Sequence, residues 1–280
     1  MDVMKMQHVI RNLHPVSRNA AWLRSGIPWG MKARYYASMG VAYVRLATTG
    51  RKRIRYLGRR LEFDNPATPL NLQVYPYEVS HHILGNIDRI PESVLDIGGN
   101  IGQFALTVDY FCEGRAHIDV FEPNPSVFEL LRRNLAPLAQ VTAYNHALSP
   151  EPVGEMFYEP GRSATGSLIR ENASDDRERI EAVTITSVAA VPPVTGRTHY
   201  DLVKIDVEGY ELEVLRCLEG VTARHVFVEF SGLGRRKRYP HSEFLAELRR
   251  IFGEYDIVYE RAATRKSDAF EMLVEIVGQE

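Results

Sequence analysis

From residue 93 onward, short apolar runs alternate with amphipathic segments, and few folds accept that rhythm. The runs are 93–97, 117–121, 141–145, 201–205, 225–229, 256–259 and 270–277. The segments between them have helical spacing. Asn124-Pro125 supplies a capping side chain and then proline at the first helical position, with Val127, Phe128, Leu131 and Leu135 following on one face. Val214, Leu215 and Leu218 share a face of 210–218, which stops at Gly220. Phe244, Leu245, Leu248, Ile251 and Phe252 form an apolar stripe after Pro240. Strands separated by helices pair in parallel, and a parallel sheet needs both faces covered. The predicted fold class is therefore α/β, a doubly wound, mostly parallel sheet. Between 147 and 201 the rhythm breaks, and 155–158 and 183–186 read as extra strands flanking the polar loop 161–167.

The first run ends in Val94-Leu95-Asp96-Ile97-Gly98-Gly99-Asn100-Ile101-Gly102, and a helix follows at once. In an open parallel sheet, ligands bind beyond the carboxyl ends of strands, where the strand order reverses. A dinucleotide fingerprint needs glycine at the first, third and sixth positions, and here Asn100 and Gln103 occupy the last two. What remains is D-x-G-x-x-x-G, in which Asp96 suits a cationic ligand and repels a pyrophosphate. The second run ends in Phe121-Glu122-Pro123-Asn124, 20 residues beyond Gly102. An acid at that place accepts hydrogen bonds from both ribose hydroxyls of a nucleoside. Two acids with no phosphate cradle point to S-adenosylmethionine rather than a nicotinamide dinucleotide or ATP.

Charge divides the chain unequally. Residues 1–60 hold 13 lysines and arginines against the single acid Asp2, whereas 61–280 hold 21 basic and 35 acidic residues. Such a basic head meets an anionic surface or docks on an acidic body. Residues 15–49 read as helical, with Pro28 in a first turn and Gly50 at an end. Arg34 and Arg45 leave ten uncharged residues between them, whereas about 20 are needed to span a bilayer. Trp22 and Trp29 among arginines have the composition of an interfacial helix, and an N-terminal cap on the main domain is the plainer alternative. Residues 54–63 around Gly58 suggest a hairpin, and 64–69 a linker. The domains read as a basic extension, 1–75, of helices and a hairpin, followed by a nucleoside-binding domain, 76–280. Two cysteines make no disulfide framework, and the first residues lack a secretory apolar run. The expected location is cytoplasmic, with peripheral contact on the inner face of the membrane through residues 1–60.

The segments VLDIGGNIGQFAL, VFEPNPSVFELLRRNL and DLVKIDVEGYELEVLRCLEG resemble the FkbM family of S-adenosylmethionine-dependent methyltransferases, over roughly 93–259. The block Lys204-Ile205-Asp206-Val207-Glu208-Gly209 is the most specific part. The resemblance implies a class I methyltransferase sheet of seven strands, one of them antiparallel. It also implies methyl transfer to a hydroxyl on a sugar, glycolipid or polyketide. By position, it implies Asp96, Gly98, Gly99, Asn100 and Gly102 in the cofactor turn, with Glu122 and Pro123 at the ribose. Asn145, His146 and Ala147 would border the adenine, and Asp206 would stand near the methionine part and the acceptor. Thr165 and Ser167 fall in a loop that resembles the family's acceptor loop. Ser187 departs from the family, which has an acid there, and residues 1–60 resemble nothing named.

Deprotonating an aliphatic hydroxyl calls for a base within hydrogen-bond reach, and the candidates are Asp206, Glu208, Glu229 and His146. Glu208 also reads as a first-turn helix acid, and Lys204, inside a strand, as the buried partner of a nearby acid. A divalent metal on Asp206 and Glu229 is the weaker alternative, because no third ligand is evident. Arg235 and Arg236, in a basic loop after the fifth strand, suit a phosphate of a nucleotide- or lipid-linked sugar. Two other functions compete. A nucleic-acid methyltransferase could use the basic head as its arm, but acids follow the fourth strand where N-P-P-Y would be expected. A non-catalytic nucleoside-binding module would be expected to have lost Asp96, Gly98 or Glu122, and all three are present.

Overall fold

Arg53–Tyr56 (β1) and Arg59–Glu62 (β2) pair antiparallel through a two-residue loop. Leu57 and Gly58 in that loop have φ of +47° and +80°, the conformation whose twist suits a tight hairpin. Alternation puts Ile54, Tyr56 and Leu61 on one face, with Tyr56 and Leu61 buried. Arg53, Arg55 and Arg60 lie exposed on the other, Arg55 directly opposite Arg60. The computed structural model describes residues 52–64, 75–76, 78–160, 166–170, 173, 177–230, 240–264 and 267–278. The helix expected over 15–49, most of the linker at 64–69, and Thr165, Arg235 and Arg236 lie outside the described residues. The chain divides into two compact units, Met1–Val74 and Tyr75–Glu280.

In the second unit the alternation holds. Its elements are Ser93–Ile97 (β3), Gln103–Phe111 (α1), His117–Phe121 (β4), Pro125–Leu135 (α2) and Val141–Tyr144 (β5). Ala147–Leu148 (β6), Glu155–Tyr158 (β7), Glu181–Thr184 (β8), Ser187–Val188 (β9) and the turn Pro192–Thr195 (α3) follow. The last group is His199–Ile205 (β10), Glu211–Arg216 (α4), Thr222–Phe230 (β11), His241–Phe252 (α5), Tyr255–Thr264 (β12) and Ser267–Ile276 (β13). The seven-stranded sheet has the order β12-β13-β11-β10-β3-β4-β5, and β13 alone runs antiparallel to its neighbours. This is the Rossmann-like α/β architecture expected. Of the two extra strands, 155–158 is β7, and the one expected at 183–186 lies two residues earlier, as β8; they pair with each other outside the main sheet.

The order reverses between β3 and β10, because the chain goes from β3 out to β4 and β5 on one side and returns to β10 on the other. One sheet face carries Leu95, Ile97, Phe121, Val203, Ile205, Val226 and Val228, which join Leu215 of α4 and Phe244, Leu248 and Phe252 of α5 in the main core. The opposite face holds Val120 and, in adjacent register, Asp96 and Lys204. A buried ionisable pair inside a parallel sheet is costly unless its charges meet. It therefore marks where this fold departs from simple packing.

Candidate functional site

The turn after β3 is shaped by close backbone contact. Gly98, Asn100 and Gly102 have φ of +83°, +49° and +93°. The Gly98 and Gly99 amides both donate to the Phe121 carbonyl at the end of β4, at 3.0 and 2.9 Å. A Cβ on Gly98 would stand 1.9 Å from the Asp206 carbonyl oxygen, and one on Gly99 would stand 2.2 Å from Val120 Cγ1. These glycines are therefore required by the neighbouring strand ends themselves. The Asp206 amide donates to the Ile97 carbonyl at 3.1 Å, which closes the two loops on each other at the reversal point.

Glu122 joins this turn to the next. Its Oε2 accepts the Asn100 amide and its Oε1 the Asn124 amide, each at 2.9 Å. Burial pushes its pKa up to about 7, against the pull of those amides and of Lys204. Asn145 donates its side-chain amide to the Glu122 and Pro123 carbonyls at 2.9 and 3.0 Å, so it braces that turn. Ala147 is buried, its amide donating to the Thr186 carbonyl. Asn134 of α2, which the sequence reading passed over, donates to the Ile101 carbonyl at 2.8 Å. A lone asparagine inside an apolar helical stripe was the available signal.

Asp96, expected to meet a cationic ligand, is fully buried and lies 3.1 Å from Lys204 Nζ. Burial raises its pKa and Lys204 pulls it back. Lys204 is also nearly inaccessible, yet its pKa lies above the ordinary lysine value. Burial alone would lower it, but Asp96 and Asp206 outweigh that effect. The reading of Lys204 as the buried partner of an acid agrees with this pairing.

Around the ends of β10 and β11 stand the expected bases. Asp206 is partly exposed, with Oδ2 3.4 Å from Lys204 Nζ. Glu208 is half-buried with a left-handed backbone, φ +51°, so it stands outside the helix, and the first-turn acids of α4 are Glu211 and Glu213 instead. Burial, then Asp206 and Glu211, push the Glu208 pKa up to about 8. The pKa of Glu229 is raised well above the ordinary glutamate value, first by the charge of Asp206, then by the protein packed around the carboxylate, with Glu271 and Glu208 adding to it. Glu271, directly opposite Glu229 on β13, is held ionised by His82 and Arg261, which outweigh its burial. Ser167, expected at the acceptor, is buried and braces the loop after β10. Its hydroxyl donates to the Glu208 carbonyl at 2.8 Å and accepts the Ile169 amide at 3.1 Å. Among the described residues, no group of three or more His, Cys, Asp and Glu is arranged to hold a metal ion.

Several buried polar atoms of this region have no hydrogen-bond partner among the described residues. Besides the two carboxylate oxygens of Asp96, whose charge is met by Lys204, they are Asn100 Oδ1 and Gln103 Oε1 on the turn and its helix, and His146 Nδ1 beyond β5. Buried acceptors without donors are uncommon in native proteins. Hydroxyl and amino donors, such as those of an adenosine, would satisfy them, so the residues present fit a nucleoside.

The chain is similar to known methyltransferases. The methyltransferase FkbM domain matches residues 96–259. The hexuronic acid methyltransferase AglP of Haloferax volcanii is 32% identical over 125 residues, which are 43% of this chain and 47% of that protein, so the chain spans about half the length of this relative. Methyltransferase 1 of Beauveria bassiana is 24% identical over 178 residues, 56% of this chain and 71% of that protein. The crystal structure of methyltransferase FkbM from Methylobacillus flagellatus superposes with a TM-score of 0.46 at 14% identity, covering 86% of this chain and 59% of that one.

Proposed function

This chain belongs to the FkbM methyltransferase family, and from that premise we propose that it transfers a methyl group from S-adenosylmethionine to a hydroxyl of a sugar, glycolipid or polyketide. The observation that carries the reading is the crowding of Asp206, Glu208 and Glu229 at the ends of β10 and β11, beside the glycine turn. The backbone from Gly98 to Gly102 and the side chains of Asn100 and Gln103 would seat the nucleoside. Glu122 and Pro123 would face its ribose, with Asn145, His146 and Ala147 on the adenine side. Bound there, S-adenosylmethionine supplies an electrophilic methyl group on a positively charged sulfur. Most of the remaining contribution is alignment. A carboxylate whose pKa is raised accepts a proton from an acceptor hydroxyl more readily than an ordinary one, and Glu208 and Glu229 both have that property. A wall of carboxylates also favours a neutral hydroxyl acceptor over one that presents its own carboxylate.

The test is incubation with methyl-labelled S-adenosylmethionine and a panel of hydroxyl-bearing acceptors, read by mass spectrometry. The label should appear on oxygen. The rate should rise with pH through about 8, because Glu208 works as a base only after losing its proton and its pKa lies there. Label on nitrogen or carbon, or a rate that falls over that range, would refute the reading.

Peripheral contact with an anionic membrane is the second part of the proposal. Arg53, Arg55 and Arg60 share one face of the β1–β2 hairpin with Glu62, which pairs with Arg60, so the face keeps a net positive charge that an anionic surface attracts. No helix among the described residues is long and apolar enough to cross a membrane. The protein should sediment with phosphatidylglycerol-containing liposomes at low salt and be released by high salt. Replacing the three arginines with glutamine should leave it in the supernatant. If the wild-type protein itself stays there, the contact does not exist.

A further inference from the structure

Lys204 sits where three groups of the proposed site meet, and its position in the sheet explains why. It is the cross-strand neighbour of Asp96, so the two side chains rise from adjacent strands on the same sheet face. Its Nζ lies 3.1 Å from Asp96 Oδ1 and 3.4 Å from Asp206 Oδ2, and it donates to the Gly98 carbonyl at 2.8 Å. The Phe104 ring, in the first turn of α1, covers it at 5.7 Å. A lysine ammonium has three donors and no acceptor. Here the groups around it come from three places: β3, with Asp96 and the Ile97 carbonyl at 3.5 Å, the glycine turn, and the loop after β10.

The two carboxylates it touches differ in access. Asp96 has no exposed surface, and its charge is met inside the protein by Lys204. Asp206 keeps 28% of its side-chain surface exposed. A charge compensated at 3.1 Å inside the protein has little left for a ligand outside it, whereas a carboxylate at the surface of the same cation still attracts one. The turn also depends on this cation. The Gly98 carbonyl belongs to a residue with left-handed backbone that has no room for a Cβ beside the Asp206 carbonyl, so holding that carbonyl holds the turn as it leaves β3.

We infer that Lys204 is a positioning residue, holding the Gly98 carbonyl and the Asp206 carboxylate in place for the cofactor, while Asp96 is its buried counter-charge and does not itself meet the sulfonium. The inference rests on the cofactor reading above. It reverses the role that position alone suggests for Asp96, and it gives the lysine of the Lys-Ile-Asp-Val-Glu-Gly block a purpose beyond charge balance.

Three variants of the full chain test it: Asp96→Asn, Lys204→Met, and the double variant carrying both. Thermal midpoint and S-adenosylmethionine affinity by calorimetry are read for each. Asp96→Asn should bind the cofactor within about fivefold of wild type, because Lys204 still holds Gly98 and Asp206. Lys204→Met should melt early, since it strands a buried carboxylate. The double variant should regain most of the lost midpoint, yet bind the cofactor at least about tenfold more weakly than wild type, because the turn and Asp206 have lost their anchor. Recovery of both midpoint and affinity in the double variant would reduce Lys204 to a counter-ion and overturn the inference. So would an Asp96→Asn affinity as poor as that of the double variant. Wild-type protein that binds no S-adenosylmethionine would instead remove the cofactor reading, and this inference with it.

Discussion

Gly98→Ala is expected to abolish S-adenosylmethionine binding and to lower folding stability by about 3 kcal/mol or more. Two costs combine. The left-handed backbone at φ +83° is disfavoured for any residue with a Cβ, by about 1–2 kcal/mol. The added carbon would also lie 1.9 Å from the Asp206 carbonyl oxygen, which is backbone at a strand end and cannot rotate away. Gly220→Ala separates these contributions. Its φ is +80°, and a Cβ there meets nothing within 4 Å. That variant should lose only the conformational 1–2 kcal/mol, with cofactor affinity unchanged. Urea denaturation and calorimetry on the two variants make the comparison. If Gly98→Ala binds the cofactor as Gly220→Ala does, the turn after β3 is not the cofactor site.

The second large effect concerns Asp206. Asp206→Asn keeps the shape of the side chain but removes the negative charge shared with Lys204, 3.4 Å away, and with Glu208 and Glu229, whose pKa values it raises. Turnover should fall by about 10²–10⁴-fold, because the charge that tunes the Glu208 and Glu229 bases is gone, while cofactor affinity weakens by up to about tenfold, since the accessible carboxylate facing the cofactor is lost but the turn anchored by Lys204 remains. The sign of a secondary effect can be worked out. With Asp206 neutral, Glu208 loses a like-charged neighbour and its pKa drops below about 8, so whatever activity remains should reach its plateau at lower pH than in wild type. Equal turnover in the two proteins would take Asp206 out of the mechanism.

Much of the fold was legible before any coordinates. Every apolar run read as a strand is a strand, because periodicity and helix punctuation such as Asn124-Pro125 are local signals. The longer strands β10 to β13 exceed their apolar runs, since polar residues at strand ends pair as readily as apolar ones. Less of the site was legible, for a physical reason. That Asp96 pairs with Lys204, and that Gly98 is needed because of Asp206, are contacts spanning 108 residues of sequence, which no local pattern records. Glu208 looked like a helix-start acid because the helix was expected to begin near it. Its left-handed backbone, followed by Gly209 at φ +94°, delays α4 to Glu211 and leaves the side chain among the other acids. Ser167 was placed in the acceptor loop by resemblance, and no local pattern records that its hydroxyl donates to the Glu208 carbonyl and accepts the Ile169 amide.

The central claim is that the turn joining β3 to α1 at the strand reversal, with Glu122 beside it, holds a sulfonium nucleoside. Calorimetric titration of the full chain with S-adenosylmethionine, repeated on Glu122→Ala, tests this most directly. Wild type should bind one molecule per chain saturably, and the variant at least about tenfold more weakly, because its turn loses the carboxylate that gathers the Asn100 and Asn124 amides. Wild-type protein that takes up no S-adenosylmethionine, or a folded Glu122→Ala protein that binds it as tightly as wild type, would contradict the account.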